Sequence, residues 1–262
     1  MYKAGYKEKD EFKQAKAMKE KDIAKSSIER YSGCSIDRFQ PYLLLTNFPH
    51  YVDYFAKQYN GEVSEGSLFK VAHSSTYRVS IIDFKMGSPM ASLVMDLFCH
   101  TNIKTMLMLG MCGGLRSKYI VGDFFVPFAS IRADGTSDVY FPSEVPACAT
   151  FDIQRKVMER LDKMKLKYHT GITYTTNTRF WEFNDEFKKR VIDCRAQAIE
   201  MECATLFIAG YRYKINIGSL LLVSDLPLEN TGVKTQESAA KVFDEYANNH
   251  VDVGMEIMQH IQ

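Results

Sequence analysis

A three-layer α/β sandwich, with a central mixed β-sheet flanked by helices, is the fold that this sequence predicts. Apolar runs of strand length alternate with helix-length segments, the order that builds a sheet covered on both faces. Three of those runs share one plan: Met106 to Gly114, Ala198 to Thr205 and Leu220 to Asp225 each pass from an apolar strand to a glycine pair or a carboxylate. Strand ends in α/β proteins face the ligand crevice, so Gly113, Glu202 and Asp225 are expected to converge on one small polar ligand. At 262 residues the chain is read as a single catalytic domain, 1–262, with 1–29 as a Lys/Glu-rich helical extension.

The elements follow in chain order. Lys and Glu with widely spaced Phe12, Ala15, Met18 and Ile23 predict a partly amphipathic helix that needs another surface to cover it, broken at Arg30-Tyr31-Ser32-Gly33. Tyr42 to Asn47 reads as the first buried strand, and Pro49 starts a helix to about Tyr59 because proline fits a first turn. Tyr77 to Phe84 alternates as a strand. Gly87-Ser88-Pro89 then opens a helix to about His100, either as a plain cap or with amides that hold an anion or a sugar oxygen. A strand at Thr105 to Gly110 leads to Gly113-Gly114, where a ligand can approach the backbone closely. Val121 to Ala129 is a strand, 131–150 irregular, Ile153 to Met164 a helix and Tyr168 to Thr176 a strand. Asn177 to Glu182 is a loop bearing the chain's single tryptophan, Trp181. A helix at Phe187 to Cys194, the Glu200-Met201-Glu202 strand end, a helix at Cys203 to Tyr213 and a strand at Gly218 to Val223 follow. A loop from Asp225 to Thr235 and a helix from about Gln236 to His260 close the chain.

The formal charge of +1 gives no reason to expect nucleic acid or an anionic membrane as a partner. Six cysteines without C-x-x-C spacing read as reduced thiols of a cytoplasmic protein. P-loop, G-x-G-x-x-G, H-E-x-x-H and G-x-S-x-G patterns are absent, so no cofactor and no metal is expected. His73, His100, His169, His250 and His260 stand alone and are read as surface or satisfied residues. What remains is carboxylate chemistry at strand ends, where two carboxyls in unlike environments can divide proton donor from acceptor.

Gly110-Met111-Cys112-Gly113-Gly114, Ile199-Glu200-Met201-Glu202 and Val223-Ser224-Asp225 resemble the signature turns of the nucleoside phosphorylase superfamily. Cys112 to Arg116, Ile120 to Asp123, Thr175-Thr176 with Arg179, Trp181-Glu182, Gly210-Tyr211-Arg212 and Val223 to Leu228 are similar, more narrowly, to the catalytic domains of AMP nucleosidases. The resemblance implies cleavage of a purine nucleotide, AMP, to adenine and ribose 5-phosphate. Asp225 then corresponds to the acid that protonates the purine N7, Glu202 to the residue that binds the ribose hydroxyls and Met201 to the one packed under the ribose. For Asp225 to donate near neutral pH, its pKa must be raised by burial. Phe180 and Trp181 fall in the loop that covers the base in that family, as an aromatic face for adenine or as a core plug. Glu200, Gly113 and Gly87 complete the expected substrate contacts.

Met108 and Met111 stand where the phosphorylases carry donors for free phosphate, and neither side chain offers an N–H or a charge. Water is therefore the expected nucleophile, with a purine nucleoside phosphorylase or a non-catalytic nucleotide sensor as the alternatives. Arg30 is the expected reader of the 5′-phosphate, because a guanidinium fork grips phosphate oxygens in pairs, with His50 on the loop after the first strand as an added donor and Lys85 and Arg116 as weaker candidates. The resemblance also implies a homo-oligomer, hexameric or dimer-based.

Overall fold

The computed structural model describes residues 4–229 and 235–262, with side chains from Lys16 onward. Phe12 and Ala15 of the expected amphipathic face, and Gly232 of the expected loop, lie outside the described side chains and residues. Helix α1 (Ala4–Ser32) does not break at Arg30 but runs to Ser32, where Gly33 ends it at φ 71°. Left-handed backbone suits glycine, and a Cβ at Gly33 would stand 2.6 Å from the Glu65 carbonyl oxygen. Ala24 and Ile28 of α1 are buried in the body of the protein, so the second half of the helix has found its surface there.

The first buried strand is β1 (Tyr42–Thr46), and Pro49 opens α2 (Pro49–Gln58) as expected. The segment after α2 forms an edge hairpin that the sequence reading missed, β2 (Glu62–Glu65) and β3 (Lys70–Ser74). Glu-Val-Ser-Glu on a mostly exposed edge strand carries no apolar alternation, so its strand state comes from pairing with β3. β4 (Val79–Asp83) is buried at every position instead of alternating, because it is an interior strand covered on both faces. α3 (Ser88–Phe98) leads to β5 (Thr105–Gly114). The Gly113-Gly114 pair is thus not a turn but the paired end of a longer strand.

β6 (Phe124–Ala133) and β7 (Ala147–Cys148) put ordered structure into the stretch read as irregular. α4 (Phe151–Lys163), β8 (Tyr168–Thr176), α5 (Asp185–Asp193), β9 (Ala198–Glu200), α6 (Cys203–Tyr213) and β10 (Asn216–Asp225) follow close to their expected places. The closing helix is interrupted: α7 (Gln236–Val242) passes through a π-helical turn at Phe243–Ala247 into α8 (Asn248–Ile261).

The ten strands described form one mixed sheet, nine of them in the order β10-β6-β8-β9-β5-β1-β4-β3-β2 and the tenth, β7, paired with β6 off that path. β10 also pairs in parallel with β5, so the sheet closes on itself at that end. Closure places the C-terminal ends of β5 and β10 beside β9, with Gly113 opposite both Ile199 and Asp225. Side chains alternate between two cores with the strand period. Leu43, Leu45, Met106, Met108, Leu221 and Val223 meet the layer of α1, α3 and α6, while Leu44, Leu107, Leu109, Leu220 and Leu222 meet that of α2, α4 and α8. This is the expected three-layer sandwich, with the closed end added.

Buried histidines behave as structural groups. His250 Nε2 donates to the Leu220 carbonyl at 3.0 Å, which makes Nδ1 the acceptor for the Tyr51 hydroxyl at 2.9 Å. Burial lowers its pKa to about 4, and His73 is lowered to about 4 by burial and then by the Arg38 charge.

Candidate active site

At the closed end of the sheet a cleft is lined by the ends of β1, β5, β9 and β10 and by the loop after β8. Gly113, Glu200, Met201, Glu202, Trp181 and Asp225 all reach it, although they come from four separate stretches of sequence. Arg30, His50, Gly87 and Phe180 are not among its lining residues.

Glu202 occupies the junction of β9 and α6, where the chain leaves the strand at φ −135° and ψ −32°. The Gly87 amide donates to its Oε1 at 2.6 Å, from a glycine held at φ 94° at the start of α3. Gly87 therefore touches the carboxylate rather than the open cleft, and the Ser88 hydroxyl donates to the Met201 carbonyl at 2.8 Å in the same contact. Together these bonds fix the strand-to-helix junction against the N-terminus of α3.

Glu200 is held by a different set of bonds. Its Oε2 accepts the backbone N–H groups of Glu202 and Cys203 at 2.7 and 2.6 Å, and its Oε1 accepts the Thr175 hydroxyl. Thr175 is in turn 2.6 Å from the Ser130 hydroxyl. This polar stack orients the turn that presents Glu202. Burial raises the pKa of Glu200, against the hydrogen bonds that hold its charge. Burial pushes Glu202 up to about 8, with the nearby Glu200 charge as the second cause.

Asp225 ends β10, half-buried, and the Ser224 hydroxyl donates to its Oδ1 at 2.6 Å. Gly113 sits between this strand end and β9. A Cβ there would stand 2.9 Å from Pro227 Cγ and 3.1 Å from Ile199 Cγ2, so only glycine allows the approach. Gly113→Ala is expected to displace the Pro227 loop, costing about 1–3 kcal/mol of stability by overpacking and lowering activity on any cleft ligand. A denaturant melt alongside a rate measurement checks both.

Trp181 is 4% exposed and packs with Tyr174, Ile199 and Phe187 while also lining the cleft, so it is plug and wall at once. Phe180, at φ 65° and 67% exposed, points out under the Arg179 guanidinium. His50 Nε2 donates to Asn248 Oδ1 at 3.0 Å, and Arg30 lies on the exposed end of α1 with its guanidinium 4.7 Å from the Tyr31 ring centre. Two further cations are engaged structurally: Arg116 donates to the Leu115 and Arg195 carbonyls, and Lys85 pairs with Asp83.

Arg179 and Glu182 line the cleft and were not singled out as site residues from sequence. An arginine three residues before a glutamate is a common pairing at a turn, and the signal that could have found the two is their place in the motif shared with the AMP nucleosidases. Among the described residues no helix is long and apolar enough to cross a membrane, and no three or more His, Cys, Asp or Glu side chains group to hold a metal.

A family profile described as the phosphorylase superfamily matches residues 41–258. The AMP nucleosidase of Escherichia coli K12 is 25% identical over 89% of this chain and 57% of its own length. A uridine phosphorylase of Thermococcus kodakarensis is 24% identical over 64% of this chain and 66% of its own. The chain thus spans little more than half to about two thirds of these relatives. A crystal structure of the AMP nucleosidase from Bacteroides thetaiotaomicron VPI-5482 superposes with a TM-score of 0.81 at 33% identity, covering 92% of this chain and 97% of that one. With a cleft of strand-end carboxylates at the closed end of its sheet, and with a family match over most of its length, the chain belongs to the phosphorylase superfamily.

Proposed function

We propose that this protein hydrolyses the N-glycosidic bond of AMP to adenine and ribose 5-phosphate. The observation that carries the reading is the convergence of Asp225, Met201 and Glu202 on one cleft, with Glu202 locked by the Gly87 amide. Likeness to two AMP nucleosidases supports the substrate.

In this mechanism Asp225 gives its proton to N7 as the C1′–N9 bond breaks, so adenine leaves neutral. A donor placed at N7 gains strength as charge moves onto the ring, which lowers the barrier more than it tightens ground-state binding. Positive charge grows on the ribose meanwhile. Glu202 accepts hydrogen bonds from the ribose hydroxyls, and Met201 packs beneath the sugar. Water adds at C1′ and loses a proton, giving ribose 5-phosphate.

The alternative in the same fold is phosphorolysis, which the uridine phosphorylase relative keeps in view. Met111, at the cleft, offers phosphate no N–H or charge from its side chain, and this favours water. Mixing the protein with AMP, with and without inorganic phosphate, and measuring free adenine and the sugar product separates the two. Adenine and ribose 5-phosphate without added phosphate are expected. Release that requires phosphate would convert the assignment to a phosphorylase, and no release in either case would leave a nucleotide sensor.

The 5′-phosphate is proposed to meet Arg30 from a neighbouring copy in a homo-oligomer, hexameric or dimer-based, since Arg30 lies off the cleft of its own chain. Arg30→Ala should lower kcat/KM on AMP by about ten- to hundredfold, the scale of one charge-assisted contact, and leave adenosine nearly unchanged. An equal loss on both substrates, or a fully active monomer by light scattering, would remove this role.

A further inference from the structure

Glu182 is a buried carboxylate with one oxygen unaccounted for. It sits on the single turn Trp181–Phe183, and its side chain is 3% exposed. The Arg179 guanidinium donates to Oε1 at 3.0 Å, while Oε2 is buried without a hydrogen-bond partner. Burying a carboxylate oxygen unpaired is unfavourable, so a site that keeps one is shaped for a donor that arrives later. Glu182 also lines the cleft, next to the apolar wall of Trp181 and Ile199 on which a flat ring can lie.

We propose that Glu182 determines base specificity, its Oε2 accepting an N–H from the exocyclic 6-amino group of a purine held against Trp181. The inference rests on the reading of the cleft as a purine nucleotide site. An ionised carboxylate only accepts, so the ligand must bring the hydrogen. A 6-aminopurine brings it, an unsubstituted purine leaves Oε2 unpaired, and a 6-oxopurine sets an oxygen against it. Sites built to bond a polar substrate group reject analogues that lack it more sharply than apolar pockets do, because the buried partner is left stranded. Arg179 acts through Glu182, holding Oε1 and leaving Oε2 the unpaired oxygen of a cleft-lining residue.

The single tryptophan gives a readout that does not depend on turnover. Quenching of Trp181 should report adenine binding to the wild-type protein at least tenfold tighter than unsubstituted purine. In Glu182→Gln, adenine should weaken by about ten- to hundredfold and purine by less than threefold. The same pattern should appear in kcat/KM for AMP against the 5′-monophosphates of purine riboside and inosine, with the inosine nucleotide gaining relative to AMP as the glutamine amide donates to O6. Equal affinity of the wild type for adenine and purine overturns the proposal without any variant. Parallel losses on both bases in Glu182→Gln overturn it too, since that is what mere support of the wall would cause. If the wild type binds both bases with the expected preference but releases no adenine from AMP, the hydrolase reading fails while the specificity assignment stands. Binding of neither base removes both.

Discussion

Asp225→Asn should lower kcat on AMP by roughly two to four orders of magnitude, the scale of a lost general acid. The amide keeps the size of the side chain and can still accept from Ser224, whose hydroxyl donates to Asp225 Oδ1 at 2.6 Å, so the end of β10 should hold its shape. What it cannot do is hand a proton to N7. Adenine would then have to leave as an anion, and the charge that the acid neutralises only in the transition state would go uncompensated. KM is expected to change far less than kcat, because the lost interaction is made as the bond breaks. Rapid mixing with AMP at saturating concentration measures the effect. Turnover within tenfold of wild type would move the acid role to another residue.

Glu202→Gln should separate function from stability. Activity should fall by about two to four orders of magnitude, the sum of two weakened charge-assisted contacts to the ribose hydroxyls. Stability of the unliganded protein should move the other way at mildly alkaline pH. In the folded protein the Glu202 carboxyl is raised from its ordinary 4.5 to about 8, burial being the largest cause and the Glu200 charge the next. Between those values the folded state holds a proton that the unfolded state has lost, so stability declines as pH rises from 4.5 to 8. Glutamine carries no such titration. The variant is therefore expected to match the wild type near pH 4.5 and to melt higher near pH 8, in thermal melts run without ligand. Glu200 is raised as well and lies close, so the slope belongs to the pair and part of it should survive in the variant. A lower melting temperature for Glu202→Gln at pH 8 would mean that Glu202 is ionised and stabilising in the free protein. In the wild type, kcat/KM should rise toward about pH 8 as the carboxylate ionises to accept the ribose hydroxyls, and the variant should lose that limb.

The sequence alone determined the layers and set Glu202 and Asp225 at strand ends. Unbroken apolar runs of strand length at Leu43-Leu44-Leu45, Met106 to Leu109 and Leu220 to Val223 are enough to specify interior strands with a core on each face. An apolar strand that meets a glutamate just before a helix-forming run marks Glu202 at a crevice, and the structure places it there. Both are local patterns, readable within ten residues. The rest is set by contacts between distant parts of the chain. β10 pairs with both β5 and β6, which closes the sheet and turns the expected glycine turn at Gly113-Gly114 into a strand end facing Pro227. The bond from the Gly87 amide to Glu202 spans 115 residues, and no spacing rule could pair them. The β2–β3 hairpin went unread because an exposed edge strand is defined by its partner, not by its own apolar pattern. Arg30 and His50 are close in sequence to the first strand yet lie off the cleft, since α1 and the first turn of α2 carry them to other surfaces. Burial decided the protonation as well: the carboxyl raised to about 8 is Glu202, because desolvation and a second buried carboxylate act together only once β9 and α6 have packed.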